Sequence, residues 1–267
     1  MIRAAAFLAM TLCAAPALAG ATGWQEVAPG VQLRLITSDT LIDGVTLAGL
    51  ELDMPETTNI YWRIPGETGV PTELDFAASS GIGDPHVLWP YPAIDRSRGY
   101  LDYGYFGPVV LPFEIAAEEA GSVLDVGVLM GVCSDICVPV TAQLTLPLQF
   151  GAPDRAQSLR LEQALATVPA LWDRPKQPFA TVEAGLDGSL HIYNPDPSIA
   201  PESLIADLGD PTILFETPQK SPDRDLWTLK PLGGAARKGL EGSSVQLTFL
   251  TPDGPYAVSR TIAPSQP

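Results

Sequence analysis

Residues 123–150 read VLDVGVLMGVCSDICVPVTAQLTLPLQF, and this stretch decides the fold. Two strand-like runs, 123–132 and 141–150, flank a short segment that carries two cysteines. In the second run the apolar residues occupy every other position. Because successive strand side chains point to opposite faces, this alternation is typical of a strand with one buried face. We therefore predict a β-hairpin whose end carries Cys133 and Cys137.

Short strand-like runs of the same kind occur through residues 23–150, separated by turn signals such as Pro29-Gly30 and Asp43-Gly44. The chain contains 27 prolines and 24 glycines, which suits many short strands better than long helices. A half-apolar sheet must cover its apolar face with another sheet. We therefore predict a mainly β protein whose first domain, residues 20–152, is a β-sandwich.

The pattern changes after residue 152. The apolar residues that recur at the spacing of one helical face are Leu161, Leu165, Val168 and Trp172. Pro153 suits the first helical turn, and a proline-rich linker follows the stripe. From residue 179 onward the β pattern returns, with predicted strands at 190–192, 213–215, 226–229, 245–249 and 256–262. We predict a helix and linker over 153–178 and a second, smaller β domain over 179–267.

The N-terminus has the pattern of a secretory signal peptide. Arg3 gives a positive start, an apolar run of small residues follows, and Ala17-Leu18-Ala19 is a typical cleavage site. We predict that residues 1–19 are a signal peptide and that the mature chain begins at Gly20. No later apolar run reaches the roughly 18 residues that a membrane-spanning helix needs. The sequence therefore predicts a soluble, exported protein of the periplasm, without direct membrane insertion.

The charge balance excludes one class of partner. The chain carries 31 acidic and 15 basic residues, a net charge of −16, so it should be repelled by phosphate backbones. We expect no nucleic-acid partner. The two histidines, His86 and His191, belong to no metal-binding or hydrolase motif, and no phosphate-binding glycine loop is present. We predict no cofactor.

The cysteine pair is the strongest candidate for chemistry. Once the signal peptide is removed, only Cys133 and Cys137 remain, and an oxidising compartment favours a disulfide between them. Such a small ring stabilises a fold little, because it removes little entropy from the unfolded chain. Asp135 lies between the cysteines and disfavours a thiolate. From spacing alone, redox activity, a structural staple and metal binding stay open.

Four stretches, taken in order, resemble the N-terminal periplasmic domain of DsbD-type thiol:disulfide interchange proteins. These stretches are YWRIPGETGVPT at 61–72, LWPYP at 88–92, YGYFG at 103–107 with Leu111-Pro112, and CSDICVP at 133–139. The spacing of the two cysteines is similar to that of the ScsB branch, which is linked to copper-stress tolerance. The resemblance covers residues 24–150 and extends more loosely into the rest of the chain.

This resemblance implies an immunoglobulin-like sandwich with a redox-active disulfide. It implies that Cys137 exchanges with partners, that Cys133 resolves the mixed disulfide, and that an aromatic cap near residues 90–105 shields the pair. Family members receive electrons from a thioredoxin-like domain that a transmembrane hub supplies. Neither of those parts is found in residues 1–267, so we expect a separate membrane electron donor.

The sequence therefore predicts a periplasmic thiol:disulfide interchange protein, an electron carrier of the oxidoreductase type. Its expected partners are periplasmic thioredoxin-like oxidoreductases and the membrane donor. Two alternatives stay open. One is a copper-binding or copper-tolerance module that uses Cys133, Cys137 and Met130, since thiolate and thioether ligands suit cuprous ion. The other is an interaction domain in which the disulfide is structural.

Overall fold

A computed structural model describes residues 20–118, 120–151, 153–222, 224–233 and 239–264; the predicted signal peptide, residues 1–19, lies outside the described residues. The first strands are β1 (Gln25–Ala28), β2 (Val31–Thr37), β3 (Val45–Asp53), β4 (Asn59–Gly66), β5 (Glu73–Asp75), β6 (His86–Val87), β7 (Ala93–Asp95), β8 (Asp102–Phe106), β9 (Val109–Ala116), β10 (Val123–Cys133) and β11 (Cys137–Pro147). They are followed by α1 (Arg155–Leu165), β12 (Ala170–Leu171), β13 (Thr181–Ala184), β14 (Leu190–Tyr193), a 3-10 turn (Pro201–Ser203), β15 (Ile205–Asp207), β16 (Gln219–Lys220), β17 (Leu226–Leu229), β18 (Ser244–Thr251) and β19 (Gly254–Thr261).

Strands β1 to β11 form a sandwich of two sheets. One sheet has the order β1-β2-β3-β9-β6, and the other has the order β11-β10-β4-β8-β7, with β5 also paired to β10. The alternating apolar residues of both sheets meet in one buried core. Its members include Leu33, Leu50, Ile60, Trp62, Leu111, Phe113, Val126, Val128 and Met130. The prediction of a β-sandwich is confirmed.

The predicted hairpin is the longest antiparallel pair of the sandwich. Strands β10 and β11 pair without a register shift from Val123 opposite Pro147 to Cys133 opposite Cys137. The second strand of the hairpin begins at Cys137, four residues before the start at residue 141 that the sequence pattern indicated. Strand β4 pairs with β10 at the same end, where Asn59 lies opposite Cys133. The cysteines therefore lie at one end of the sandwich.

Helix α1 packs on the outer face of the five-stranded sheet, where Leu161 joins a small cluster with Ala21 and Ile36. Asp154 caps the helix, so Pro153 lies before the cap and not in the first turn as predicted. The helix ends at Leu165, and the last two residues of the predicted stripe lie beyond it; a helix cannot easily continue toward the proline at position 169. Within the described ranges no helix is long and apolar enough to cross a membrane.

The remaining strands form a second, smaller β unit with two four-stranded sheets, β12-β19-β18-β15 and β13-β14-β17-β16. Its core is built from large apolar residues, among them Phe179, Ile192, Trp227, Leu247 and Phe249. The predicted strand at 213–215 is wrong. There Phe215 alone forms an isolated bridge, to Pro231, because Pro211 and Pro218 flank the segment and prolines interrupt strand pairing.

The two β units are joined by polar contacts and by three apolar residues of the second unit that pack against the core of the first, Ile205, Leu214 and Leu232. Arg63 on β4 forms a salt bridge with Asp207, and its Nη2 donates to Gln246 Oε1 at 2.7 Å. The hydroxyl of Tyr91 donates to the Ser203 carbonyl at 2.5 Å. Ile205 of the second unit is buried in the core of the first. These contacts hold the second unit against the six-stranded sheet.

Candidate functional site

A disulfide joins Cys133 and Cys137 at the end of the β10–β11 hairpin, as the sequence predicted. The two residues are register partners with a Cα–Cα distance of 4.0 Å. The three residues between them form a tight turn in which the Ser134 N–H donates to the Ile136 carbonyl at 3.1 Å. All three turn residues are exposed, so the ring of the disulfide projects from the sandwich.

The two cysteines differ sharply in exposure. Cys133 is 0% exposed, because its strand β10 lies between β4 and β11. Cys137 is exposed, because it begins β11, which lies at the edge of the sheet. A thiol from another protein can therefore approach Cys137 and not Cys133. The roles that the family resemblance implies, exchange with partners at Cys137 and resolution by Cys133, stay a prediction.

Tyr61 is the side chain that contacts both sulfurs. Its hydroxyl lies 3.2 Å from the Cys133 Sγ and 3.7 Å from the Cys137 Sγ. Side chains alternate along β4, so Ile60 points into the core and Tyr61 points to the outer face, where Cys133 also lies. The ring is 3% exposed. Tyr61 therefore covers the inner side of the disulfide and offers it a hydroxyl group.

Two glycines create the space for the Tyr61 ring. A Cβ on Gly69 would lie 2.2 Å from Tyr61 Cδ1, so only a glycine allows the chain after β4 to cross the ring face this closely. A Cβ on Gly131 would lie 3.4 Å from Cδ2 of the same ring. The Thr72 hydroxyl donates to the Tyr61 carbonyl at 2.5 Å and fixes the backbone. The position of the tyrosine hydroxyl beside the sulfurs is therefore determined by its surroundings.

The loop between β7 and β8 reaches the cysteine turn through a basic side chain. Arg98 donates from Nη2 to the Ser134 carbonyl at 2.7 Å. Backbone hydrogen bonding from Ser97, at the start of this loop, lowers the pKa of Asp95. Asp95 and Arg98 line a small cavity together with Tyr61. Arg98 thus brings a positive group to the cysteine turn from outside the CSDIC segment, and Asp95 lies in the cavity beside Tyr61.

The aromatic residues of the predicted cap serve mainly in packing. Tyr103 and Tyr105 are buried in the core of the sandwich, and burial raises the pKa of each. Tyr91 hydrogen-bonds to the second β unit. Phe106, directly after the predicted cap, is 39% exposed and lines the cavity beside Tyr61. The loop that touches the cysteine turn does so through Arg98.

The structure does not bring Met130 to the cysteines. Met130 is fully buried in the sandwich core, three residues before Cys133 and on the opposite face of β10. His86 lies on β6 in the other sheet, 4.0 Å from the Glu114 carboxylate. Across the described parts of the chain, no three His, Cys, Asp or Glu side chains are grouped so that they could hold a metal ion.

Residues 34–149 match the model of the family described as thiol:disulfide interchange protein DsbD, N-terminal. This match is consistent with a DsbD N-terminal-type domain in the first sandwich. The solved structure of the N-terminal periplasmic domain of ScsB from Proteus mirabilis is similar in fold, with a TM-score of 0.72 and 20% identity. The match covers 92% of this chain and 99% of that chain, so the likeness in fold includes the second β unit. No curated protein sequence matches the chain. The DsbD-type domain contains the disulfide, Tyr61 and Arg98.

Proposed function

We propose that this protein is a periplasmic thiol:disulfide interchange protein that passes reducing equivalents to partner proteins through Cys133 and Cys137. The observation that carries the proposal is a disulfide at an exposed hairpin end, with one buried and one exposed cysteine, in a DsbD-type domain. We assign the exchange to a domain of residues 20–152. Residues 153–178 connect it to the second β domain, residues 179–267.

The exchange takes place in two steps that start from the reduced pair. The Cys137 thiolate attacks one sulfur of a disulfide in the partner, which forms a mixed disulfide and releases the partner's other sulfur as a thiolate. Cys133 then loses its proton to solvent, and its thiolate attacks the Cys137 Sγ. The ring disulfide forms again, and the partner leaves with both of its sulfurs reduced. Two electrons have moved to the partner, whose two thiolates take protons from solvent in place of those that Cys133 and Cys137 released, and a separate membrane donor reverses the steps to reduce the protein again.

Tyr61 supports the second step. Its hydroxyl lies within hydrogen-bond distance of the Cys133 Sγ, and a hydroxyl that donates to a thiolate stabilises the charged form. The same ring blocks the inner side of the sulfurs, so an attacking group must come from the turn side. The nearby guanidinium of Arg98 adds a positive charge that partly offsets Asp135. The site therefore favours a protein partner that docks on the turn over random small thiols.

The surface around Cys137 fits such a partner. Ile136 in the cysteine turn is 72% exposed, Val138 next to Cys137 in the chain is 36% exposed, and Phe106 is exposed on β8 opposite Asn59. Exposed apolar residues grouped around a reactive atom are typical of a protein-binding surface. The expected partner is a thioredoxin-like oxidoreductase that offers an apolar face around its own cysteines. The acidic charge of the chain favours a partner with a neutral or positive docking face.

The test is to trap the mixed disulfide with single-cysteine variants. The Cys133→Ala variant keeps the exposed attacking cysteine, and Cys137→Ala is its matched control. Each reduced variant is mixed with an oxidised periplasmic thioredoxin-like protein, and the products are identified by mass spectrometry without reductant. We expect a 1:1 mixed disulfide at Cys137 with Cys133→Ala and little or none with Cys137→Ala. No adduct with either variant, or a preference for Cys133, would overturn the proposal.

A further inference from the structure

Asp39 is a buried residue with one carboxylate oxygen, Oδ2, that has no hydrogen-bond partner among the described residues. The residue is 2% exposed, and among the described residues no donor reaches its Oδ2. Burial, and secondarily the charge of Asp154, raise the pKa of Asp39 to about 6. An ionised carboxylate that is buried without hydrogen bonds is costly, so this atom requires an explanation. A cationic donor at this position would provide one.

The second carboxylate at this place belongs to Asp154, the N-cap of α1. Its Oδ1 accepts hydrogen bonds from the N–H groups of Ala156 at 2.9 Å and Gln157 at 3.1 Å. The N-terminus of a helix favours a negative group, and Asp154 occupies that position beside Asp39. Asp43 lines the adjoining cleft with Asp39, and no basic side chain among the described residues lines it. The local charge is therefore negative.

Gly20 lies between the two carboxylates. It is buried, its φ is +77°, and its carbonyl accepts a hydrogen bond from the Thr37 N–H at 2.7 Å. A Cβ on Gly20 would lie 2.9 Å from Asp39 Oδ2 and 2.9 Å from Asp154 Cβ. Since a Cα–Cβ bond is about 1.5 Å long, the Gly20 Cα lies within about 4.4 Å of Asp39 Oδ2. The amino nitrogen is one bond from that Cα.

We infer that Asp39 and Asp154 form a binding site for the α-ammonium group of Gly20, which is created when a signal peptidase cleaves the Ala19–Gly20 bond. The hydrolysis consumes one water, leaves a carboxylate on Ala19 and gives Gly20 a protonated amine. In the uncleaved chain, Gly20 offers a single amide hydrogen and no charge. The new terminus offers three hydrogens and one positive charge, which is what the unpartnered Asp39 Oδ2 lacks.

Two independent observations meet at this residue. The sequence pattern places the cleavage site directly before Gly20, without reference to the fold. The structure places a buried carboxylate oxygen without a described partner beside the same residue, without reference to the cleavage. The inference does not depend on the exchange chemistry of the cysteines. It implies that removal of the signal peptide also completes the folded structure, by fixing the N-terminal segment against β2 and α1.

The test compares chains that differ by one residue at the N-terminus. One is exported and processed, with its terminus identified by mass spectrometry, and the other begins at Ala19. An opposite charge within about 4–6 Å shifts a pKa by 1–3 units, so the amine of the Gly20 chain should have a pKa at least one unit above the ordinary 7.7–8.0. Acylation of this amine near pH 7 should therefore be about tenfold slower than in the Ala19 chain, and the thermal midpoint should be higher.

Asp39→Asn is the test variant and Asp43→Asn the matched control, since Asp43 is exposed on the same loop. We expect Asp39→Asn to remove the difference between the two chains and Asp43→Asn to preserve it. The raised amine pKa stabilises only the protonated form, so the advantage of the Gly20 chain should be lost above about pH 9. The inference is overturned if the processed chain begins elsewhere, if the two amines titrate alike, or if Asp39→Asn leaves the difference intact. The trapping of mixed disulfides is unaffected by any of these results.

Discussion

Replacement of Tyr61 by phenylalanine tests whether the hydroxyl beside the sulfurs acts on the chemistry. The change removes the oxygen that lies 3.2 Å from Cys133 Sγ and 3.7 Å from Cys137 Sγ. The ring should keep its place, because Gly69 and Gly131 still enclose it. The reduced variant therefore differs from the natural protein chiefly in one hydrogen-bond donor to the thiolate.

The size of the effect follows from the burial of Tyr61. A hydrogen bond to a charged group contributes about 1.5–3 kcal/mol, and at 3% exposure water cannot easily replace it. The lower figure corresponds to about a tenfold smaller thiolate fraction at pH 7. A less stabilised thiolate is also more nucleophilic, by about threefold for this change in pKa. This gain offsets part of the tenfold loss in thiolate fraction. We therefore expect the alkylation rate of Cys137, the exposed cysteine whose sulfur lies 3.7 Å from the same hydroxyl, to fall about threefold at pH 7 and its pH midpoint to rise by about one unit.

The assay is the rate of alkylation of the reduced protein from pH 5 to pH 10. Tyr105→Phe is the control, because the Tyr105 hydroxyl is also buried but donates to the Pro90 carbonyl at 2.8 Å, away from the sulfurs. Both variants should lose about 1 kcal/mol of unfolding free energy. The alkylation midpoint should move with Tyr61→Phe alone. An unchanged midpoint in that variant would refute the argument that the hydroxyl stabilises a thiolate.

Two further changes test the surroundings of the site. Gly69→Ala places a Cβ 2.2 Å from a Tyr61 ring atom, so we expect the free energy of unfolding in urea to fall by about 1–3 kcal/mol and the pH midpoint of alkylation to rise. Unchanged values of both quantities would contradict the close packing of Gly69 on the ring. Asp207→Asn removes the charge partner of Arg63, which is 27% exposed, so we expect a loss of about 1–3 kcal/mol, less than for a fully buried pair, with alkylation unchanged. Calorimetry that shows no loss would contradict this assignment of the contact between the β units.

The hairpin and its disulfide could be predicted because they depend on neighbours in sequence. The alternation of apolar residues in 123–150 specifies two paired strands. The two cysteines, four positions apart, specify a disulfide at the end of this hairpin. The sandwich could be predicted for the same reason, since each strand shows its own apolar face. The stripe that ended in Trp172 was misleading. The helix stops at Leu165, and Trp172 packs instead against Phe249 and Tyr256 in the second β unit.

The two other members of the site could not be predicted, because their contacts join distant parts of the chain. Tyr61 is 72 residues from Cys133, and Arg98 is 36 residues from Ser134. Tyr61 and its neighbour Trp62 are both buried aromatic residues, but they lie on opposite faces of β4. The register that places Asn59 opposite Cys133 decides this face, and no local pattern reports that register. The YWRI stretch contains Tyr61, but its sequence does not show that β4 pairs with β10 and so brings Tyr61 to the cysteines.

The proposed exchange needs groups that can stabilise a thiolate, and the CSDIC segment itself contains no basic residue. The strand order brings a hydroxyl from β4 and a guanidinium from the β7–β8 loop to the cysteine turn. The two cysteines differ in exposure because β11 has a neighbour on one side only and leaves Cys137 open. If the strand order alone creates this asymmetry, a partner should be able to exchange at Cys137 without unfolding the hairpin. Exchange should then proceed while the β10–β11 amides stay protected from hydrogen exchange, and loss of that protection during exchange would show that the hairpin must open first.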